Sequence, residues 1–524
     1  MKNFFLPILF LFALGVQAQP SKNLTLLGSV QYAGQTLAGC WHYNKPGGGE
    51  YALVGSQTGI SIVDITIPSS PMIVSLVPGV TNLWHEVKVI GDYAYAVSEG
   101  SDSTGIKNGL QIINLSFLPD SAPFKFYTGD GVIANQLITS HSITAERNYV
   151  YLNGHNIAAL GRGVIILDVS NPWNPVYVGA ITNRYCHDSY VRDSLIFTSD
   201  IIDGLFSVYN ISNTAVPVLL ATQTTPGQFN HNTWLSDDGT TLFAADERAS
   251  VPLASYDISN LNNITLLDTF YNGNFPLNEV HNVRVKNNFL LNASYGSQLT
   301  IVDAARPNNL IETGNFTTGN SLCWDADPFL NSGNIIATDM NSGMFYIFSP
   351  EYIRACYLEG IVTDSLTGLP LNNVNVLFSS LNITRITDGL GEYRTGYADS
   401  GSYSVEFSKT GYFTKILTVN LQNATLTSLN VELVSIGAAI HEVSDKDIFI
   451  FPNPSAGMIE VVSEKSKIDS WKLTDLTGKI VMQSPPIFSS SSACNINLEK
   501  LPPALYFLKI FSGRGIQIKS VVKY

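Results

Sequence analysis

The feature that most narrows what this chain can fold into is a unit that returns seven times. A histidine leading into an alternating strand appears in Trp41-His42-Tyr43, Trp84-His85-Glu86, Ser140-His141-Ser142, Cys186-His187-Asp188, Asn230-His231-Asn232 and Val280-His281-Asn282, and Trp324-Asp325-Ala326 repeats it with aspartate. The spacings are 43, 56, 46, 44, 50 and 44 residues. Each unit continues with a second strand such as Tyr51 to Gly55, a Gly-led third strand such as Gly59 to Ile65, and a Pro-marked fourth such as Pro71 to Val77. The third strand recurs at Gly109 to Leu115, Gly163 to Val169, Gly204 to Ile211, Leu299 to Asp303 and Gly343 to Phe348. Four short strands in about 40 to 50 residues form a propeller blade. The chain is therefore expected to be all-β, with a seven-bladed propeller over residues 19–352. The seventh unit lacks its outer strand, and Leu24 to Val30 resembles the missing piece, so the N-terminal segment is expected to close the ring and remove two open sheet edges.

Composition limits the function classes. Lys and Arg number 29 against 42 Asp and Glu, a net charge of 29 − 42 = −13, and no basic patch stands out, which argues against nucleic acid as a partner. Met1-Lys2-Asn3, an apolar run from Phe4 to Val16 and the small-residue site before Gln19 read as a secretory signal over residues 1–18. No later stretch approaches the roughly 20 apolar residues of a membrane span. The 5 cysteines are too few for a disulfide scaffold, so the core must be hydrophobic. Cys40 and Cys323 take equivalent places in the first and seventh units, neighbours in a closed ring. They are candidates for a disulfide if their Cα atoms lie within about 7 Å, and two buried thiols fit equally well.

From Leu358 the period disappears. Gly360-Ile361-Val362-Thr363-Asp364, Thr387-Asp388-Gly389, Gly391-Glu392-Tyr393 and Gly411-Tyr412 read as strands and turns of a small sandwich, expected over residues 353–435. Phe451-Pro452-Asn453-Pro454-Ser455 and Gly457 open a last β-module, expected over residues 445–524.

These motifs carry three resemblances. The strands Gly59 to Asp64, Ile165 to Val169 and Thr300 to Asp303 resemble the LVIVD repeats of the choice-of-anchor B family, which implies a propeller. The middle segment resembles the carboxypeptidase regulatory-like domain, a transthyretin-like sandwich that implies a spacer or accessory role. The last segment, through Pro452-Asn453-Pro454, Gly457, Leu476-x-Gly478-Lys479, Leu505-Tyr506-Phe507, Lys519 and Lys523, resembles a type A sorting domain of the type IX secretion system of Bacteroidetes. That resemblance implies recognition by the type IX machinery, passage through the periplasm and across the outer membrane, and release or attachment at the cell surface.

Within the propeller, strands that return to one face should bring the histidines together with the residues 13 to 15 positions further on: Ser56, Glu99, Asp200, Asp246, Ser294 and Asp339. His42, His85, His141, His187, His231, His281 and Asp325 are thus the candidate channel-face residues, beside a polar ring containing Glu99, Asp200, Asp246 and Asp339. Neutral imidazole with carboxylate suits zinc, iron or another divalent transition metal, with His85, His141, His187, His231 and His281 as candidate ligands. A residue repeated in every blade also suits a repeated inter-blade hydrogen bond, and that reading is favoured because a metal rarely needs a ligand from each blade. Trp41, Trp84, Trp173, Trp234 and Trp324 could face a glycan, although aromatics at such places more often fill blade cores. The leading expectation is an exported, non-catalytic propeller that binds a glycan, a protein or another ligand. The alternative is a metal-dependent hydrolase or lyase with Glu99, Asp200 or Asp246 as general base. A third expectation, a purely structural surface protein, requires a channel plugged by side chains.

Overall fold

The computed structural model describes residues 21–271, 279–296, 298–317, 322–381, 383–436, 448–485, 491–512 and 515–524. The segment read as a signal, residues 1–18, lies outside them. The chain separates into two compact units, one built on the chain up to Tyr357 with Thr395–Gly401 and Leu421–Thr427, the other on Leu358–Arg394, Ser402–Asn420 and Ser428–Tyr524.

The first unit contains seven antiparallel sheets, each with strands in simple up-and-down order. Their innermost strands are Leu37–Asn44, His85–Ile90, Ser142–Glu146, Asp188–Arg192, Asn230–Leu235, Glu279–Lys286 and Cys323–Asp327, in blades 1 to 7. Leu24–Gln31 pairs with Met344–Pro350, from Leu24 opposite Pro350 to Gln31 opposite Met344, and so supplies the outer strand of blade 7. Backbone hydrogen bonds thereby join the two ends of the ring. Ser21–Lys22 adds a short fifth strand to blade 6.

The repeated third strand shows why the pattern is what it is. In blade 1 it runs Gly59–Asp64, and its Ile60, Ile62 and Val63 are fully buried because neighbouring blades cover both of its faces. Its last residue turns the chain: Asp64 Oδ1 accepts the amide of Thr66 at 2.9 Å. The same bond recurs from Asn114 to Ser116, Asp168 to Ser170, Asn210 to Ser212, Asp257 to Ser259 and Asp303 to Ala305. A short side-chain acceptor two residues before a free amide makes such a turn locally. At the other end of the strand, a Cβ on Gly59 would lie 2.2 Å from the carbonyl oxygen of Val77, and one on Gly109 equally close to that of Tyr127. No side chain fits there, which explains the leading glycine.

Hydrophobic clusters fill all seven blade junctions. Val97, Leu110 and Ile112 of blade 2 pack with Ile143, Leu152 and Ile165 of blade 3, for example, and Phe289, Leu299 and Ile301 of blade 6 with Ala326, Ile335 and Phe348 of blade 7. Burying this much apolar surface is the main force holding the ring.

In the second unit, Ile383–Ile386, Asn375–Phe378, Gly401–Ser408 and Lys415–Leu421 form one sheet, and Cys356–Asp364 pairs in parallel with Val431–Leu433. The last module has a sheet of Ile448–Phe451, Met458–Ser463 and Ala493–Asn497 and another of Ile480–Gln483, Ile468–Thr474, Ala504–Ser512 and Gly515–Lys523. Its proline-flanked motif holds the C-terminal strand. Asn453 Oδ1 accepts the amide of Val522 at 2.8 Å while Nδ2 donates to the carbonyl of Ser520 at 2.7 Å, imitating one step of a strand ladder. Lys523 Nζ donates to the carbonyl of Ala456, and Lys519 lies on the same final strand. Pro452 and Pro454 flank Asn453, and the Gly457 amide donates to Ser455 Oγ at 3.1 Å. Gly478, with φ of 85°, completes a turn whose amides bond to Asp475. Among the described residues no helix is long and apolar enough to cross a membrane.

Candidate functional site at the propeller channel

The innermost strands line a central channel in tiers, because alternate residues point the same way. The outermost tier carries the histidines. His141 and His187 donate their amides to Asn153 and Ser199 at 2.9 and 2.8 Å, and His231 and His281 sit at bulges in their strands. A bulge inserts an extra residue and re-aims its side chain, here toward the channel. Ring centroids of His141 and His187 are 3.8 Å apart, those of His187 and His231 4.5 Å, and those of His231 and His281 4.1 Å. Blades 3 to 6 thus build an arc of four imidazoles.

Each outer nitrogen that is tied leaves the inner one exposed to the arc. His231 Nδ1 donates to the carbonyl of His281 at 2.9 Å, and His281 Nδ1 donates to the carbonyl of Trp324 at 2.7 Å. His141 Nδ1 bonds to Glu99 Oε1 at 2.6 Å, which holds the Glu99 carboxyl below its ordinary range. His187 Nε2 is buried without a hydrogen-bond partner. Burial pushes the His187 and His281 imidazoles well below their usual range, the neighbouring imidazoles add to it, and burial lowers His231 as well. These three rings, His187, His231 and His281, are therefore neutral lone-pair donors at neutral pH. Donor atoms of His141, His187 and His231 lie within 4.8 Å of one another, as do those of His231, Glu247 and His281. Glu247 is 3.9 Å from His231 Nε2 and 3.8 Å from His281 Nε2.

The other expected channel residues lie outside the arc, although His42 still borders the chamber inside it. His85 is buried beside Gly79, Ser98 and Gln111, away from the arc, and burial lowers it to about 4. In blade 1 the register jumps from Leu37 opposite Ser56 to Cys40 opposite Val54, so Ala38 takes the histidine position and His42 lies four residues further along. His42 instead pairs with Asp327 at 2.7 Å. Burial alone would raise the Asp327 carboxyl, but His42 and backbone amides outweigh it and hold it low. In blade 7 the bulge falls on Trp324, whose ring is tilted against that of His281 with centroids 4.9 Å apart, so the histidine equivalent is Trp324 and not Asp325. Asp325 is fully buried against Arg284 at 3.0 Å.

The same registers correct the cysteine pairing. Cys323 matches Leu37, not Cys40, and three residues of strand, about 10 Å, separate the two positions. Both thiols are free and buried.

Of the expected carboxylate ring, Glu99 alone reaches a histidine among the described residues. Asp200 accepts Ser207 Oγ, Asp246 accepts Thr225 Oγ1 and the amides of Gly227 and Phe229, and Asp339 accepts the amide of Ser342. Asp246 and Asp339 thus cap turns, as Asp and Asn do wherever unpaired amides lie nearby, whereas Asp200 holds a serine hydroxyl, and burial raises its carboxyl to about 7.

Inside the arc lies a chamber of about 340 Å³, and outside it a second cavity of about 260 Å³ bordered by Trp84, Glu247, Tyr295 and Met340. The imidazoles form a septum between the two, and each cavity stays open on its own side of it. The next tier inward holds Glu86, Ser142, Asp188, Asn232 and Asn282. Several of these latch blades together: Ser142 Oγ and Asn232 Nδ2 donate to Asp188, and Asn282 Nδ2 to the carbonyl of Trp324. Glu86 accepts Trp324 Nε1 at 2.7 Å, and burial pushes its carboxyl up to about 7. A third tier carries Trp41, Lys88, Thr144, Tyr190, Trp234 and Arg284. Glu86, Glu247, Lys88 and Arg284 are not among the residues that histidine spacing points to. The alternation in His85-Glu86-Val87-Lys88 and His281-Asn282-Val283-Arg284 is the signal that exposes three of them, while Glu247 is one position beyond Asp246.

Three families match. Residues 48–77, 139–183 and 279–318 match the LVIVD repeat, residues 357–434 the carboxypeptidase regulatory-like domain, and residues 449–524 the secretion system C-terminal sorting domain. No curated protein matches the chain. Among solved structures, a Lactobacillus plantarum protein is 14% identical with a TM-score of 0.47, over 64% of this chain and 94% of that one. A putative 6-phosphogluconolactonase from Bacteroides uniformis is 12% identical with a TM-score of 0.44, over 64% and 94%. The chain carries LVIVD repeats in an all-β propeller, a carboxypeptidase regulatory-like domain and a C-terminal sorting domain that marks it for type IX export across the outer membrane, to the cell surface or the medium.

Proposed function

We propose that the exported propeller is a metal-centred ligand-binding module. The observation that carries this reading is the arc of His141, His187, His231 and His281, in which Nδ1 of three rings is tied while the Nε2 atoms and Glu247 face one another. A second hydrogen bond that fixes tautomer and ring orientation is the usual support of a metal-bound histidine. With bond lengths of about 2.0 to 2.1 Å, zinc or a similar ion needs only modest closure of these side chains. Hydrogen bonding between blades accounts for Nδ1 and leaves Nε2 without a task.

Elemental analysis of the secreted protein, purified without chelator or metal-binding tag, tests the reading. Near-stoichiometric transition metal is expected, lost on replacing His187 and His231 together. Metal-free protein that takes up no zinc, cobalt or copper on titration would overturn it. The wider choice-of-anchor B assignment agrees with the repeat match.

A hydrolase or lyase reading is favoured by one further observation, the Glu86 carboxyl brought to about 7 inside the chamber. Such a group serves as general acid or base near neutral pH. Turnover by the metal-loaded protein that disappears in Glu86→Gln, with metal retained, would establish it. The carboxypeptidase regulatory-like domain is assigned as a spacer, and type IX recognition is assigned to Pro452, Asn453, Pro454, Gly457, Gly478, Lys519 and Lys523. Deleting residues 449–524 should leave the protein in the periplasm.

A further inference from the structure

The inner chamber contains two cations, each with hydrogen-bond donors that no protein group accepts. Lys88 is only 7% exposed, and its ammonium makes one hydrogen bond, to the carbonyl of Val87 at 3.3 Å. Arg284 is 4% exposed; Nη2 meets Asp325 and Nη1 the carbonyl of Val283, but Nε is buried without a partner. Unanswered buried donors are costly, and a buried ammonium more so. Asp325 pairs with Arg284, and Glu86 and Asp188 act on the cations electrostatically, but none of them accepts a hydrogen bond from Lys88 Nζ or Arg284 Nε. Asp188 already accepts Ser142, Asn232 and the amide of Ser189, and Glu86 accepts Trp324.

Aromatic faces hold both cations in position without neutralising them. Lys88 Nζ is 4.3 Å from the centre of the Trp41 ring, and the Arg284 guanidinium is 4.9 Å from that of Trp234 and 5.8 Å from that of Trp41. Cation–π contacts fix a cation while keeping its hydrogen-bond donors available. Trp41 thus stands between two positive groups on one wall, while the imidazole septum forms the opposite end. The 340 Å³ volume lies at the small end of ligand sites, enough for a short chain or a single ring.

We infer that the chamber is a site for a small organic carboxylate, its oxyanion held by Lys88 and Arg284 on the Trp41 wall and its other end directed at the histidine arc. This deepens the metal-site reading and rests on it only for the contact at the arc. A phosphate head would meet the same donors, so the test must separate the two.

Calorimetric titration of the full secreted protein, zinc-loaded and after chelation, would use succinate, benzoate and salicylate as probes. Their neutral amides and phenyl phosphate serve as controls. At least one carboxylate is expected to bind, its amide to bind at least tenfold more weakly, and phenyl phosphate more weakly than benzoate. Lys88→Gln should reduce carboxylate affinity at least tenfold, and Lys88→Arg should recover most of it, which shows that the loss comes from charge and not misfolding. Retained carboxylate binding in protein that holds no metal would sink the metal reading and leave this one standing. Bound metal with no binding of any carboxylate, equal binding of acids and amides, tighter binding of phenyl phosphate, or unchanged affinity in Lys88→Gln would overturn this inference alone.

Discussion

Blades 3 to 6 and blades 7, 1 and 2 share one backbone plan, yet at the channel edge they differ. The first group presents His141, His187, His231 and His281; the second presents Trp324, Ala38 and a His85 turned aside. The repeat therefore dictates a slot and not its contents. The latch cannot be what requires imidazole, because Asn282 Nδ2 and His281 Nδ1 both reach the carbonyl of Trp324. An amide would suffice for bonding between blades, whereas a neutral Nε2 lone pair is a chemical group. The half-ring of blades 3 to 6 is where the candidate metal ligands concentrate.

Breaking one half and sparing the other gives the largest contrast. His187→Ala with His231→Ala should lower metal affinity by more than about 100-fold, beyond the loss typical of an outer partner, whereas His85→Gln and His42→Gln should leave it unchanged; competition with a chromophoric chelator reads both. Gly39→Ala probes the other half. Its new Cβ would lie 2.2 Å from Glu86 Oε2, an overpacking expected to cost about 1 to 3 kcal/mol in denaturant titration. A smaller effect is expected from Glu99→Gln, which keeps a partner for His141 Nδ1 but removes its charge, lowering metal affinity about tenfold.

Glu86 also gives blade 2 a pH signature. Burial lifts its carboxyl to about 7, so between the ordinary value of 4.5 and about 7 the folded chain binds a proton that the unfolded chain has released. Stability from this group is complete below that window and falls as pH rises through it. Melting curves of Glu86→Gln against the parent protein should therefore diverge with rising pH, the variant gaining a few degrees relative to the parent by pH 8. Parallel curves across the window would remove Glu86 as the cause.

Much of this was legible from local rules. The glycine that opens the third strand, the Asp or Asn that closes it and the missing outer strand of the last unit all encode geometry within a few residues. Sheets built on those signals follow the expected order. At the channel, four of the six histidines meet. The distance of His42 from the arc, the buried place of Asp325 and the separation of Cys40 from Cys323 have one origin, bulges whose position within a strand the spacing of histidines does not reveal. A slip of one residue reverses the face on which a side chain lies. Glu247 escaped notice because its neighbour Asp246 fits the interval, and only the fold shows which of two adjacent carboxylates turns inward to cap a loop and which faces the arc.

The number of blades, the closing strand and the export module can be read along the chain, because each rests on short-range periodicity, turn chemistry or a contiguous motif. Which imidazoles converge, which carboxylates they meet and where donors of Lys88 and Arg284 are left over emerges only from the fold. Those properties depend on distances between residues some 40 to 50 positions apart on neighbouring blades. Bulges, inter-blade hydrogen bonds and the packing of the ring set those distances, and no local pattern encodes them.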